Sequence, residues 1–327
     1  MNQFAYEMTR RVTAAVLMVV AVGAAAQGTY PTKPIHFITP YSPGGTTSII
    51  ARLVGQKLTE AWGQQVIVEN RPGGNTIIGT DALAKSQPDG YTIMLSSSVH
   101  VLVPLLTKTP YDPIKDFAPV ATICTAELVL LIGPSVPANN LKEFIAYAKS
   151  KPGELNYATP VPGGSQHIAS EMLNLEAGIK TQYIPYKGAA PLLIDLLGGQ
   201  LQLYFSTTVT AVPYVKGGKL KAVAITGTKR SAEYPTVPTF ADEGFPNFNN
   251  LGIFYGILMP AGAPRPIIDR MSTEMAKILA MPDFKETMAK QGMSPYVSTP
   301  EQYTALMKAD IERYGKIIKA ANIKLGD

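Results

Sequence analysis

Short apolar or β-branched runs alternate along this chain with stretches in which apolar residues recur every three to four positions. That is how a parallel α/β sheet reads. Residues 34–39 (Pro-Ile-His-Phe-Ile-Thr) predict a strand, broken at Pro40-Tyr41-Ser42-Pro43-Gly44-Gly45. In the helix that resumes, Ile49, Ile50, Leu53, Val54 and Leu58 share one face, with Trp62 near its end. A second strand over 65–69 leads through Asn70-Arg71-Pro72-Gly73-Gly74 into a helix over 76–85. Pro88-Asp89-Gly90 then turns the chain into a strand over 91–95 that finishes in Ser96-Ser97-Ser98.

The second half follows the same logic. Residues 128–132 are apolar, and Asn140 opens a helix to Ser150 that Pro152-Gly153 stops. Asn156-Tyr157-Ala158-Thr159 runs into Pro160-Val161-Pro162-Gly163-Gly164-Ser165, and a helix follows with Ile168, Met172 and Leu175. Residues 192–197 predict a helix and 201–205 and 219–225 predict strands, while 265–279 and 300–321 are helical. Nothing is repetitive or of low complexity.

The N-terminus sets the compartment. Arg10 and Arg11 precede an uncharged apolar run over 12–23, and Ala24-Ala25-Ala26 supplies the small residues of a cleavage site. The run is shorter than the ~20 residues of a membrane span. A secretory leader over 1–26, exported by the general route, is therefore expected, with the mature chain in the periplasm. Cys124 is the one cysteine, so an exported product has no internal disulfide, and this residue reads as a buried small hydrophobe. Net charge is +5 with the basic residues dispersed, a pattern that excludes a nucleic-acid surface and leans toward anionic solutes.

One device occurs twice: a strand ends, a Pro/Gly-rich loop follows, and a helix starts at once. Gly44-Gly45-Thr46-Thr47-Ser48 and Gly163-Gly164-Ser165 would each present free backbone N–H groups at a helix N-terminus, where the helix dipole also favours an anion. On two facing domains, such loops would clamp a carboxylate. The alternative is an ordinary strand-to-helix turn in which Ser48 and Ser165 cap their helices. Neither loop carries a nucleotide-binding motif.

With these loops in view, the chain resembles the receptors of tripartite tricarboxylate transporters, the Bug-type solute-binding proteins. The ordered set of motifs carries the resemblance: Tyr30-Pro31-Thr32-Lys33-Pro34-Ile35, Pro40-Tyr41-Ser42-Pro43-Gly44-Gly45, Pro88-Asp89-Gly90-Tyr91-Thr92 and Tyr111-Asp112-Pro113-Ile114-Lys115-Asp116-Phe117. It continues in Gly164-Ser165-Gln166-His167, Pro185-Tyr186-Lys187-Gly188, Asp195-Leu196-Leu197-Gly198-Gly199, Val237-Pro238-Thr239 and Pro260-Ala261-Gly262-Ala263-Pro264. The resemblance implies an α/β Venus-flytrap fold, each of two domains a mixed sheet flanked by helices. The expected division is 27–127 plus about 228–290 for one domain and 128–227 for the other, with 291–327 packing across both.

It also implies which residues hold a ligand carboxylate: Tyr41, Gly44, Gly45, Thr46 and Thr47 on one side, Val161, Pro162, Gly163 and Ser165 on the other. Ser97, Ser98, Ser206 and Thr207, at strand ends, would face the same cleft, where open α/β sheets bind ligands. Family members usually carry aspartate where this chain has Ser48, and often where it has Ser206. Ser206 therefore suggests a ligand without an ammonium group and with a second carboxylate; Tyr41 reads either as packing on an aromatic body of that ligand or as a wedge between loop and core. Lys187 reads as a surface or interdomain charge and Asp195 as a cap or structural partner.

Catalytic readings find little support. His36 lies within a strand; His167 follows Ser165 without a G-x-S-x-G elbow; no Cys/His/carboxylate cluster has metal-ligand spacing. His167, and less so His100, are instead candidates to hydrogen-bond a carboxylate. The expectation is a monomeric receptor, without cofactor or metal, that delivers a small carboxylate to the membrane subunits of a transporter. The rival readings are a sensor presenting its ligand to a signalling partner and, further off, a hydrolase.

Overall fold

A computed structural model describes residues 30–320 and 323, apart from 232, 250 and 291; the leader expected over 1–26 lies outside them. The chain runs β1 (Ile35–Thr39), α1 (Thr46–Trp62), β2 (Val66–Asn70), α2 (Ile77–Ala84), β3 (Thr92–Ser97), α3 (Val99–Leu106) and β4 (Phe117–Ile132). It continues α4 (Leu141–Ser150), β5 (Leu155–Thr159), α5 (Ser165–Ala177), β6 (Thr181–Pro185), α6 (Ala189–Leu197), β7 (Leu203–Thr207), α7 (Thr208–Lys216) and β8 (Lys221–Ile225). It closes with β9 (Gly252–Pro260), α8 (Arg265–Ala280), α9 (Pro282–Lys290), β10 (Ser294–Pro295) and α10 (Pro300–Ala320).

Two mixed sheets share one long strand. β4 is 16 residues long. Its first part, Phe117 to Glu127, pairs antiparallel with β9, which pairs with β3 and so joins the parallel set β3, β1 and β2. From Leu128 to Ile132 the same strand pairs antiparallel with β7 and β8, and β7 continues through β5 to β6. The exchange of partners at Glu127/Leu128 turns one strand into a bridge between two α/β lobes. The expected fold, two mixed sheets flanked by helices, is the observed one.

The core explains why the strands sit where they do. Ile35 and Phe37 of β1 pack under Ile50, Val54 and Leu58 of α1, all fully buried. That is the helical face the periodicity marks. In the other lobe, Phe205 of β7 stacks with Phe240 and Phe248, whose ring centroids are 4.3 Å apart. Cys124 is buried 3.9 Å from the Met293 sulfur, and burial pushes its thiol far above the ordinary range, so it behaves as the small hydrophobe expected. Asn140 caps α4 by accepting from the Glu143 N–H at 2.8 Å, as its position before the helix predicts.

Several elements lie outside the sequence reading: β9, β6, α3, α7 and α9, together with the first part of β4. β9 carries no charged residue and β4 only Glu127, because most of both strands is covered on both faces. Such a strand has no period-2 signal to betray it.

The three segments that cross between lobes are tied by Thr226, which is fully buried. Its backbone N–H donates to the Leu128 carbonyl at 2.7 Å, and its Oγ1 accepts from the Leu128 N–H at 2.8 Å. The same hydroxyl donates to the Leu251 carbonyl. Thr226→Val keeps the shape and removes both side-chain bonds, leaving a buried donor and a buried acceptor unmet. A loss of about 2–4 kcal/mol is expected, seen as a lower urea midpoint; an unchanged midpoint would show that the clasp contributes nothing.

Candidate functional site

The loops at the carboxyl ends of β1, β2 and β3 face those following β5, β6 and β7, and between them lies a cleft of about 790 Å³. Six helices open onto it. Thr46 and Thr47 begin α1, Thr76 precedes α2, Val99 begins α3, Gln166 lies in the first turn of α5, Ala189 begins α6, and Thr207 precedes α7. None of these six helices has an acidic residue in its first turn. Of the four helices whose N-termini are off the cleft, α4, α9 and α10 carry Glu143, Asp283 and Glu301 in the first turn, and α8 carries no acid there. A carboxylate in a first turn would neutralise the dipole and the free N–H groups, and the cleft helices lack one.

The two glycine loops are built alike. Gly44 has φ 88° and Gly163 has φ 75°, the left-handed region that favours glycine. The next residues, Gly45 and Gly164, are extended, with ψ 175° and 174°, and are the N-caps of α1 and α5. Neither cap makes a side-chain hydrogen bond, so the capping alternative does not describe these helices. Ser48 is instead the third residue of α1, its hydroxyl accepting from Asn70 Nδ2 at 3.0 Å. Ser165 is fully buried at the start of α5, beside Tyr314 of α10. A Cβ at Gly45 would meet no atom within 4 Å, so the missing side chain leaves the backbone accessible from the cleft.

The site residues read from the sequence divide into wall and support. Tyr41, Gly45, Thr46, Thr47, Ser97, Val161, Pro162 and Thr207 line the cleft. Gly44, Ser98, Gly163, Ser165, His167 and Ser206 do not. Ser98 is buried, accepting from the Phe254 N–H at 3.1 Å. His167 stacks on Tyr183 at 4.5 Å, and its Nδ1 accepts the Gly163 N–H at 3.0 Å. It braces the loop, and it occupies one of the amides that an anion would otherwise use. Burial holds its imidazole below the ordinary value, with Glu171 opposing, so neutral His167 suits that acceptor role. Ser206 is buried behind the wall and donates to the Thr207 carbonyl at 3.1 Å. A carboxylate there would act on the cleft only through its field. His100 is also off the wall, its Nε2–H donating to the Pro113 carbonyl at 2.8 Å.

The lobes touch across the cleft at three levels. At the floor, Thr46 Oγ1 lies 2.9 Å from Thr207 Oγ1 and 3.2 Å from Thr210 Oγ1. Further out, Asn75 Nδ2 donates to the Pro162 carbonyl at 2.7 Å, and at the rim Ser42 faces Gly188. Asn75 and Thr76 have φ 57° and 76°. This left-handed pair is strained, above all at β-branched Thr76, and it belongs to the wall although the sequence reading treats the segment as a plain loop and helix start.

The wall is apolar with neutral donors. Tyr41 Oη and Ser97 Oγ are 2.6 Å apart, and burial pushes the Tyr41, Tyr204 and Tyr255 phenols well above their ordinary value. They stay protonated. Among the described residues no Asp or Glu lines the cleft, and Lys187 is the sole charged side chain that does. Lys187 is exposed on that wall between the lobes, which agrees with its reading as a surface or interdomain charge and adds that it faces the cleft. The spacing signal was present, since Lys187 stands between β6 and α6 at the position the glycine loops hold after β1 and β5. Its neighbour Tyr186 donates to the Asp195 carboxylate, the structural pairing expected of Asp195.

Two α/β lobes on shared crossing strands, with a ligand-sized cleft at their carboxyl edges, define a periplasmic solute-binding protein. Residues 50–323 match the tripartite tricarboxylate transporter family receptor, and the chain belongs to that family. It is 34% identical to BugT of Bordetella pertussis, over 97% of this chain and 99% of that protein. Among solved structures it is similar to R. palustris Rpa4515 with adipate, at TM-score 0.87 and 29% identity, covering 90% of this chain and 99% of the other. It is also similar to MatC from Rhodopseudomonas palustris with bound malate, at TM-score 0.83 and 28% identity, covering 88% and 100%. The chain is a solute-binding receptor and not an enzyme.

His100 makes the stability pH-dependent. Its ring lies between Tyr111 and Phe117, its Nδ1 has no partner, and burial lowers its pKa from 6.5 to about 4, the Pro113 hydrogen bond opposing. Between those values the unfolded chain binds the extra proton and the folded chain does not, so stability rises with pH there. The His100 contribution is complete above 6.5 and falls by up to about 3 kcal/mol by pH 4. His100→Gln should narrow its stability gap to the wild type as pH drops from 7.5 to 4.5. Parallel urea-midpoint profiles would rule this histidine out.

Proposed function

We propose that this receptor captures a small dicarboxylate between its lobes and delivers it, by lobe closure, to the membrane subunits of a tripartite transporter. The carrying observation is the electrostatic character of the cleft: six helix N-termini without first-turn acids and, among the described residues, no carboxylate on the wall. One ligand carboxylate binds the first-turn N–H groups of α1 and α5. The Tyr41, Tyr204 and Tyr255 rings and the wall prolines receive the hydrocarbon body, aliphatic or aromatic. The solved relatives hold adipate and malate, dicarboxylates that fit this division. Contacts from both lobes favour the closed state, which docks on the transporter.

A thermal-shift screen of the chain from Gln27 against mono-, di- and tricarboxylates tests the capture. A dicarboxylate at 100 times its Kd adds ~2.7 kcal/mol of stability. Shifts by amino acids or amides alone would overturn the assignment. Gly45→Val provides the structural counterpart. Gly45 has an ordinary negative φ of −92°, and its missing side chain points into open space. The variant should therefore fold with a Tm within a few degrees of the wild type and lose the ligand-induced shift. A retained shift would exclude the α1 amides from binding.

A further inference from the structure

We infer that Lys187 is the specificity-determining residue of the cleft, reading a second anionic group on the ligand at the end farthest from the hinge. This rests on the capture of a carboxylate proposed above and assigns the other end of the same ligand. The lateral order of the strands supplies the geometry. β9 and β4 form the hinge side of the two sheets, whereas β6 is the outermost strand of its sheet. Lys187 follows β6 directly, and the next residue, Gly188, faces Ser42 of the opposite rim. The floor contacts of Thr46 with Thr207 and Thr210 belong to the hinge side. Lys187 and the floor therefore mark opposite ends of the cleft.

Three features make this lysine a selector and not a scaffold charge. Among the described residues it is the sole cation on the wall, and no carboxylate stands beside it there. It makes no ion pair or hydrogen bond with them, so its ammonium is available to a ligand. Its backbone is nonetheless held, because the Tyr186 hydroxyl is anchored on Asp195 and Gly188 is the N-cap of α6. A cation on an anchored loop, free of intramolecular partners, attracts a ligand anion without first losing a salt bridge. A monocarboxylate bound at the α1 and α5 termini would present only hydrocarbon to it.

The test is Lys187→Gln, with Lys187→Arg beside it, titrated calorimetrically with matched pairs: succinate and butyrate, adipate and hexanoate, terephthalate and benzoate. The wild type should prefer the dicarboxylate in at least one pair. Lys187→Gln should weaken that dicarboxylate by about 10- to 100-fold, the range of a charge-assisted hydrogen bond, and change its monocarboxylate partner by less than about 2-fold. Lys187→Arg should keep most of the preference. Lys187 is exposed and unpaired, so Tm without ligand should not move. The inference is overturned if the wild type binds carboxylates without preferring the dicarboxylate, if Lys187→Gln weakens both members of a pair equally, or if it weakens neither. Failure of every carboxylate to bind the wild type would instead overturn the capture reading itself.

Discussion

The proposed carboxylate site rests on first-turn backbone N–H groups that no N-cap side chain satisfies. A helix has first-turn amides with no intrahelical acceptor, and proteins commonly satisfy them with a Ser, Asp or Glu side chain. Here α1 and α5 are capped by glycine with no side-chain bond, while α4, off the cleft, has Asn140 and Glu143 in those places. One chain thus closes one helix start and leaves two open. The open ones face each other. Each N-terminus carries roughly half a positive charge, so the cleft is electropositive with almost no basic side chain in it. Amides and neutral phenols can approach a carboxylate directly, whereas a wall of lysines would have to be kept apart by other charges.

Positioning those helix ends falls to β4. Because one strand lies in both sheets, the carboxyl-edge loops of each lobe keep a common reference, and Thr226 ties the neighbouring crossing segments to it at Leu128 and Leu251. The remaining contacts between the cleft walls are few: Val161 packs in an apolar cluster with Val99 and Val103, and polar contacts join Thr46 with Thr207 and Thr210 and Asn75 with Pro162. The polar contacts exchange for water at small net cost. A buried hinge and weakly bonded walls suit the lobe opening and closure proposed for capture.

Much of this was legible in the residues. Strands with one covered face, amphipathic helices such as α1, the Asn140 cap and the repeated glycine loops all leave local signatures, and the ordered motifs identify the family. The loop residues Tyr41, Gly45, Thr46 and Thr47 line the cleft because loops after parallel strands share one edge. Ser98, His167 and Ser206 are polar residues near the same loops, yet they face inward and support the wall. Spacing cannot distinguish the two orientations, since in a strand adjacent residues point to opposite faces. Thr207 reaches the cleft and Ser206 does not.

By itself the sequence determined the α/β alternation, the two glycine loops and the family, all of which rest on local pattern. Tertiary structure alone decided that β4 belongs to both sheets, that His167 uses its Nδ1 on the Gly163 amide, and that Lys187 stands on a cleft wall to which the described residues contribute no carboxylate. The reason is physical. Strand partnership, hydrogen-bond competition and the sign of the field inside a cleft are set by residues far apart in the chain, and these meet only when the two sheets close on one another.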